Sequence, residues 1–262
     1  MNPALRTSAS GMAAQQVRTE VIANNLANVN TTGFKRSRAH FVDLLYQNVQ
    51  GPATLGGPEA GTMPAVQVGR GVRLAGVQRL HTQGPLEQTG RSMDLAIEGE
   101  GFFQVQLPGG KTGYTRDGSF TVSQDGTLVT QEGYALSPSI RVPEDSTGIT
   151  ISRGGVVTAE FGSGSEPREL GRIELARFAN PAGLMAMGDN VYTESPSAGS
   201  PVAGFPQEDG MGAVQQGALE SSNVEIVQEM VDMITSMRAY ELNSKGIKNA
   251  EEMSEIANNL VR

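Results

Sequence analysis

The residues of this sequence that could carry chemistry are a Gly-Lys-Thr triplet, two histidines and a short run of carboxylates. Gly110-Lys111-Thr112 matches the end of a phosphate-binding loop, where backbone amides and a lysine surround phosphate oxygens. The first glycine of that motif is missing, because Val105 occupies its position, and a strand rather than a helix is expected to follow. The pattern therefore predicts a hairpin turn and no nucleotide site.

The two histidines, His40 and His81, lack a neighbouring ligand at metal-binding spacing, and the chain contains no cysteine. We therefore expect no metal site, no thiolate nucleophile and no cofactor. Lys35, Arg36 and Arg38 form a basic cluster near His40, but aromatic residues are not interleaved with them. The net charge of −8 also repels nucleic acid and anionic membranes at long range, so neither is an expected partner.

Three carboxylates, Asp94, Glu98 and Glu100, could form an acid and base pair if they faced each other across a cleft. The alternation of polarity through residues 94–98 instead favours a strand with its charges directed outward. No Gly-x-Ser-x-Gly nucleophile motif occurs. The sequence therefore predicts no catalytic residues and no enzymatic activity.

Both ends of the 262-residue chain are predicted to be helical. Asn2-Pro3 is typical of a helix start, and a helix of about 25 residues is expected to follow it. Near the other end, Ser222-Asn223-Val224-Glu225 matches a capping box and predicts a helix that runs toward Arg262.

Apolar and small residues recur in steps of four and three along both helical segments, as in a helix–helix seam. The residues of these two segments that are predicted to form an assembly interface are Leu5, Met12, Val21, Ile22, Leu26, Ile226, Met230, Met233, Met237, Tyr240, Ile247, Met253 and Leu260. The methionine stripe of the second helix fits either an ordinary core or packing between subunits, because methionine adapts to many surfaces. No sequence feature separates these two interpretations.

The middle of the chain is predicted to be β-rich. Residues 102–107 and 111–116 flank Pro108-Gly109-Gly110, as the strands of a hairpin flank its turn. Aromatic residues make up 5% of the chain and tryptophan is absent, so we expect a mainly aliphatic core. The fold class is α+β, in which long N- and C-terminal helices pair in a coiled-coil-like domain beside a β-rich middle domain.

The expected division of the chain follows these elements. It consists of residues 1–30 as the N-terminal helix, 31–72 as a connecting segment with an extended loop at 50–64, 73–204 as the β-rich domain, 205–221 as a return linker and 222–262 as the C-terminal helix.

Several segments of the chain resemble bacterial flagellar rod and hook proteins. Residues 21–29 (VIANNLANV), with residues 32–36 (TGFKR) after them, resemble the N-terminal signature of that family. Residues 95–103 and 114–120 resemble its central motifs. Three further segments together resemble the C-terminal motif of the family: Ser222-Asn223-Val224, residues 229–231 and residues 238–241. Residues 41–46 and the long loop after them are most similar to the distal rod branch, and the proximal rod branch is the alternative.

This resemblance implies a structural subunit of the flagellar basal body. The terminal helices would form an inner tube and the β-rich domain an outer layer, and the helical polymer would act as a drive shaft that transmits motor torque to the hook. The implied partners are further copies of the chain, proximal rod proteins, the hook protein, the P-ring and L-ring proteins and the rod cap. The resemblance also implies flagellum-specific export without a cleaved signal peptide into a rod that spans the periplasm to the outer membrane. A ligand-binding β-rich module and an enzyme are the competing classes.

The loop at residues 50–64 is expected to contact neighbouring subunits. It contains Pro52, Pro58 and Pro64, which fix the backbone and so reduce the entropy lost on docking. Loops of this length are usually either functional or disordered. We expect this one to lie across adjacent subunits and to stiffen the polymer, with a disordered surface loop as the alternative.

Overall fold

The computed structural model describes residues 3–50, 53–54, 62–63, 65–162 and 166–260. The chain divides into two compact units, each assembled from segments that are distant in sequence. Unit 1 comprises Met1–Leu26, Ser37–Gln78 and Glu225–Arg262, and unit 2 comprises Ala27–Arg36 and Arg79–Val224. The chain passes from one unit to the other three times in its first 80 residues, whereas the sequence predicted a consecutive division.

Unit 1 contains both long helices and a series of short antiparallel ribbons. Its elements are α1 (Pro3–Ala27), β1 (Ser37–Asp43), β2 (Tyr46–Gln50), β3 (Ala53–Thr54), β4 (Thr62–Met63), β5 (Val66–Gly69), β6 (Val72–Arg79, whose last residue belongs to unit 2) and α2 (Ile226–Leu260). Strand β1 pairs with β6, β2 with β5, and β3 with β4.

The expected loop at 50–64 is therefore the distal part of a paired ribbon over the residues that the structure describes. Gln50 still pairs with Val66, and Ala53 pairs with Met63 further out. Pro52, Pro58 and Pro64 lie outside the described residues.

The first helix begins where the sequence predicts, whereas the second begins three residues late. Asn2, the predicted cap of α1, lies outside the described residues. At α2 the predicted capping box is wrong, because the Ser222 hydroxyl accepts the Val224 amide at 3.3 Å in a local turn. The carbonyl of Glu225 accepts the first helical bond, from the Glu229 amide at 3.0 Å, and so Glu225 precedes the first helical residue.

Unit 2 is built from strands, as predicted. They are β7 (Leu86–Gln88), β8 (Leu95–Glu98), β9 (Phe102–Gln106), β10 (Thr112–Thr115), β11 (Thr121–Val122), β12 (Leu128–Val129), β13 (Ala135–Leu136), β14 (Ser146–Ile151), β15 (Val156–Phe161), β16 (Arg168–Arg172), β17 (Leu175–Arg177), β18 (Met185–Gly188), β19 (Val191–Thr193), β20 (Val202–Gly204), β21 (Ala213–Gln216) and β22 (Ala218–Glu220), with a short 3-10 turn at Pro181–Gly183.

One sheet of unit 2 has nine strands and another has three. The larger sheet has the order β11-β12-β13-β9-β10-β19-β18, with β17 also paired to β9 and β20 to β17. Strands β14, β15 and β16 form the smaller sheet. The predicted hairpin is confirmed as β9 and β10, with Gly113 opposite Val105.

The segment expected to be a return linker supplies two further strands. Strand β21 pairs with β8, and β22 pairs with β7. The chain from 213 to 220 is thus part of the framework of unit 2, and the fold of that unit depends on it.

The core of unit 2 contains more aromatic rings than the composition suggests. Phe103 and Phe120 meet edge to face at 5.2 Å within an otherwise aliphatic cluster. A second cluster places Tyr114 against Phe178 at 4.7 Å. The two clusters hold six of the chain's phenylalanine and tyrosine residues, and their other members are aliphatic, so the core is mainly aliphatic with aromatic contacts at two sites.

Candidate assembly interface

The two terminal helices meet along a polar face. Thr19 Oγ1 and Ser236 Oγ lie 3.0 Å apart, and Ser236 also donates a hydrogen bond to the carbonyl of Gln15 at 3.0 Å. Arg18 Nη2 donates to Asp232 Oδ1 at 3.1 Å. Rising residue numbers in α1 meet falling numbers in α2, so the pair is antiparallel. Hydrogen bonds with fixed partners specify register, because a shift would leave part-buried polar groups unsatisfied.

Two glycines allow the helices to approach closely toward the N-terminus of α1. A Cβ on Gly11 would lie 2.9 Å from Asn243 Oδ1. A Cβ on Gly246 would lie 3.2 Å from the Ser8 hydroxyl oxygen. Glycine in a helix lowers its intrinsic stability, so these positions favour contact over helix propensity.

Asn25 closes the other end of this helix pair. Its amide exchanges two hydrogen bonds with the backbone of Ser37, both at 2.8 Å. The same side-chain nitrogen donates to Glu229 Oε2 at 3.0 Å. Asn25 and Glu229 are both 1% exposed. One asparagine thereby joins the end of α1, the start of β1 and the first turns of α2.

The opposite side of α2 carries an exposed apolar stripe, defined here as Val227, Met230, Val231, Ile234 and Met237. These side chains are 50–70% exposed. Val227 lies half a turn from Ser236, because successive residues are 100° apart around a helix. Burying large apolar side chains on this scale is worth several kcal/mol at about 25 cal/mol per Å².

The contact residues predicted from the sequence fall into three groups. In α1, Ile22 is buried and Leu5, Met12, Val21 and Leu26 are half-buried. In α2, Ile226, Met230, Met237, Tyr240 and Met253 are exposed, Met233 and Ile247 are half-buried, and the side chain of Leu260 is not described. The hydrogen bonds between α1 and α2 join polar residues, and a coiled-coil seam between the two helices stays a prediction. The role of the predicted residues in assembly stays a prediction.

Unit 2 contains a buried ionic cluster that the sequence interpretation missed. Lys35 Nζ contacts Glu220 Oε1 and donates to the carbonyl of Thr82 at 2.8 Å. Arg116 Nη1 donates to Glu220 Oε2 at 3.2 Å, and the Gly84 amide donates to Oε1 at 2.9 Å. Lys35 and Glu220 have no exposed surface. Burial lowers the pKa of Lys35 and of Arg116, and the shared carboxylate acts in the opposite direction.

The segments that carry this cluster are fitted together closely. Gly33 has a φ of +68°, and a Cβ there would lie 2.7 Å from the Asp117 amide nitrogen. The Asn223 side chain accepts a hydrogen bond from the Arg36 amide at 2.7 Å and donates hydrogen bonds to the carbonyls of Leu80 and Thr82. Glu220 shares a side of β22 with buried Ala218, and this period-two position is the only sequence signal that could have indicated it.

The positions considered for chemistry do not form a catalytic site. Gly110-Lys111-Thr112 lies at the β9–β10 turn beside a hollow of about 320 Å³ whose lining includes Lys111, Tyr134 and Asp189. Strand β10 begins at Thr112, the last residue of the triplet. This arrangement is the predicted hairpin, without the helix N-terminus that phosphate binding requires.

The three carboxylates considered for acid–base chemistry do not face each other across a cleft. Asp94 is buried and accepts the Thr89 hydroxyl at 2.6 Å, so the prediction that it points outward was wrong. Glu98 and Glu100 are exposed, and each forms an ion pair with an arginine, Arg153 and Arg177 respectively. Leu95, Ala96 and Ile97 are all buried, which is why the alternation rule failed in β8.

His40 is exposed, whereas His81 packs edge to face on Phe102 and Tyr192 at 5.5 and 5.3 Å. Burial lowers the pKa of His81 to about 4, and the charges of Lys35, Arg116 and Arg79 add to the effect. Among the described residues, no three potential ligands are grouped as a metal site would require, and no helix is long and apolar enough to cross a membrane.

Comparison with known proteins matches three parts of the chain to flagellar families. Residues 5–35 match the family described as "Flagella basal body rod protein", residues 96–159 "Flagellar hook protein FlgE/F/G D1 domain", and residues 215–260 "Flagellar basal body rod FlgEFG protein C-terminal". The flagellar basal-body rod protein FlgG of Borreliella burgdorferi is 48% identical over the full length of both chains. This chain belongs to the flagellar basal-body rod protein family.

Within that family the chain is more similar to FlgG than to FlgF. In Caulobacter vibrioides, FlgG is 44% identical over 98% of both chains, and FlgF is 35% identical over 91% of this chain and 89% of its own. The resemblance of the sequence to the distal rod branch is thereby confirmed. The family is structural, and the polar joints at Asn25, Lys35, Arg116 and Asn223 all lie within the motifs that carried the resemblance.

Proposed function

We propose that this chain is a subunit of the distal rod that polymerises head to tail into the helical drive shaft between the motor and the hook. The observation that supports this best is the exposed apolar stripe of α2. A helix in a finished monomer normally directs its large apolar residues inward, whereas α2 directs small and polar residues toward α1. A contiguous apolar surface left open in this way is typical of a protein–protein contact.

The ribbons of unit 1 provide a second, independent support. Their exposed large apolar residues are Val42, Leu45, Tyr46, Val66, Val68, Leu74 and Val77. Two-stranded ribbons are marginally stable alone and gain stability when another element packs on them. Contacts with neighbouring copies would supply that packing. Because such contacts join different surfaces of each copy, they generate an open helical polymer when the rotation from one copy to the next does not close into a ring.

In this proposal the terminal helices of adjacent copies make up the inner tube, and unit 2 forms part of the outer layer. The seam residues predicted from the sequence, from Leu5 to Leu260, would share in these contacts. Proximal rod proteins and the hook protein would bind at the two ends of the polymer, the P-ring and L-ring proteins would surround it, and the rod cap would assist its growth. The subunit would reach this place between periplasm and outer membrane by flagellum-specific export.

The segment 50–64, with Pro52, Pro58 and Pro64, would contact neighbouring subunits and stiffen the shaft. The paired bases of this segment, β2 with β5, favour a directed extension over a free coil. A short antiparallel base restricts the directions in which the tip can extend, and this lowers the entropy cost of docking.

A charge substitution within the stripe tests the proposed assembly surface. Ile234→Asp should abolish rod incorporation, because a buried unpaired carboxylate costs several kcal/mol. Asn249→Asp, at an exposed position of α2 beyond the stripe, should leave incorporation near wild type. Rods are counted by electron microscopy of basal bodies, and circular dichroism checks the fold of both subunits. Normal incorporation of the Ile234→Asp subunit would contradict the proposal.

A further inference from the structure

The apolar stripe of α2 includes two thioether sulfurs that are open to solvent. Met230 and Met237 are 52% and 50% exposed. The chain has no cysteine, so methionine is its only sulfur-containing residue. We propose that Met230 and Met237 form an oxidation site that blocks assembly of the free subunit and is protected once the subunit joins the polymer. This inference rests on the proposed function, because it requires the stripe to be buried in the rod.

The reaction requires a peroxide such as hydrogen peroxide and no catalytic group. A sulfur lone pair attacks one peroxide oxygen, so that a sulfur–oxygen bond forms as the oxygen–oxygen bond breaks. The sulfur loses two electrons, the peroxide is reduced, and after proton transfer the second oxygen leaves as water. The product is methionine sulfoxide, which methionine sulfoxide reductases can return to methionine.

The sulfoxide changes the surface that must be buried. At Met230 it places a strong hydrogen-bond acceptor between Val227 and Ile234, neither of which offers a side-chain donor. Burying an acceptor without a partner opposes association. Two sulfoxides on one helix should therefore raise the concentration needed for assembly by about tenfold or more.

Other methionines of the same chain provide internal references. Met185 and Met187, on β18 in unit 2, are 63% and 67% exposed but lie outside the stripe. Met211 is 6% exposed within the core of unit 2. The rate of methionine oxidation increases with solvent exposure. In the free subunit we therefore expect similar rates of oxidation at Met185, Met187, Met230 and Met237, and a rate about tenfold lower at Met211.

Oxidative footprinting compares the free subunit with the assembled rod. Purified subunit and isolated basal bodies are treated with hydrogen peroxide, and each methionine is followed by peptide mass spectrometry. Met230 and Met237 should react quickly in the free subunit and about as slowly as Met211 in basal bodies. Equally fast oxidation in both samples would show that the stripe stays exposed, and would overturn this inference and the proposed function together.

A peroxide pulse during rod assembly separates the two proposals. Cells producing wild-type protein, Met230→Leu/Met237→Leu or Met185→Leu/Met187→Leu are compared by the peroxide dose that halves new rods, each relative to its own untreated culture. The stripe variant should tolerate about threefold more peroxide than wild type, and the unit 2 variant should match wild type. If all three lose rods at one dose although footprinting shows protection, the oxidation site is refuted and the proposed function stands.

Discussion

Arg116 and Glu220 are joined by a hydrogen-bonded ion pair of 3.2 Å that brings the middle and the end of unit 2 together. Arg116 also donates to the carbonyl of Gly99 at 2.8 Å, and Lys35 contacts the other carboxylate oxygen. One buried carboxylate thus compensates two buried cations. Removing a single partner from such a cluster is costly, because the remaining charges stay in a low-dielectric site.

Glu220→Gln should therefore destabilise unit 2 by about 3–5 kcal/mol. Glu98→Gln is the matched control, because Glu98 pairs with Arg153 at the surface and its loss should cost less than about 1 kcal/mol. The free energy of unfolding in urea measures both effects. Equal losses for the two variants would contradict a special role for the cluster.

Stability should depend on His81 at mildly acidic pH. Its pKa is lowered to about 4 in the folded chain from 6.5, so between these values the unfolded state binds more protons. The contribution is fully present above about pH 6.5 and falls away as the pH drops toward 4, by about 3 kcal/mol in all. His81→Phe should flatten the profile of unfolding free energy over this range. An unchanged slope would show that other groups cause it.

Two truncations test whether the C-terminal strands complete unit 2. A chain ending after Glu225 retains β21, β22 and Glu220, and should unfold cooperatively with the near-ultraviolet dichroism of packed aromatic rings. A chain ending after Gly217 lacks β22 and Glu220, which leaves Lys35 and Arg116 buried without their carboxylate, and should lose both properties. Cooperative unfolding of the shorter chain would refute this dependence.

Deletion of residues 50–64 should alter the shape of the assembled rod without lowering the stability of the isolated subunit. The melting temperature of the isolated subunit should stay nearly constant, because the deleted sequence contains few large apolar residues that could add to a core. Assembled rods should be more bent or shorter when viewed by electron microscopy. A Gly/Ser segment of equal length in place of 50–64 is the control for stiffness, because it restores length without proline. Straight rods of normal length from the deletion variant would favour a disordered loop.

Lys111→Ala should leave stability and assembly nearly unchanged. Lys111 is exposed next to the β9–β10 turn, and β10 takes the place of the helix that a phosphate site needs. Calorimetric titration with ATP should show no saturable binding to either protein. Binding by the wild-type chain that disappears in the variant would overturn the hairpin interpretation.

The sequence by itself determined the local elements of this protein. Helix α1 and the β9–β10 hairpin follow from proline, glycine and the period of the apolar residues, which act over a few neighbouring positions. The predicted start of α2 was too early because Ser222 matches a helix cap in the sequence, whereas in the structure its hydroxyl stabilises a turn before the helix. The family motifs were also readable in the sequence, although their physical purpose was not.

Only the tertiary structure decided which surfaces meet. A period of 3.6 residues identifies the faces of α2 but not which face packs against α1, and here the polar face at Ser236 does so. Leu95, Ala96 and Ile97 are all buried because β8 is covered on both sides, which alternation along one strand does not reveal. Lys35 and Glu220 are 185 residues apart, and only the folded chain places one beside the other. Burying Lys35 and Glu220 together is tolerated because their charges compensate each other, whereas burying either one alone is unfavourable. Whether the two residues are buried is therefore determined by the fold as a whole.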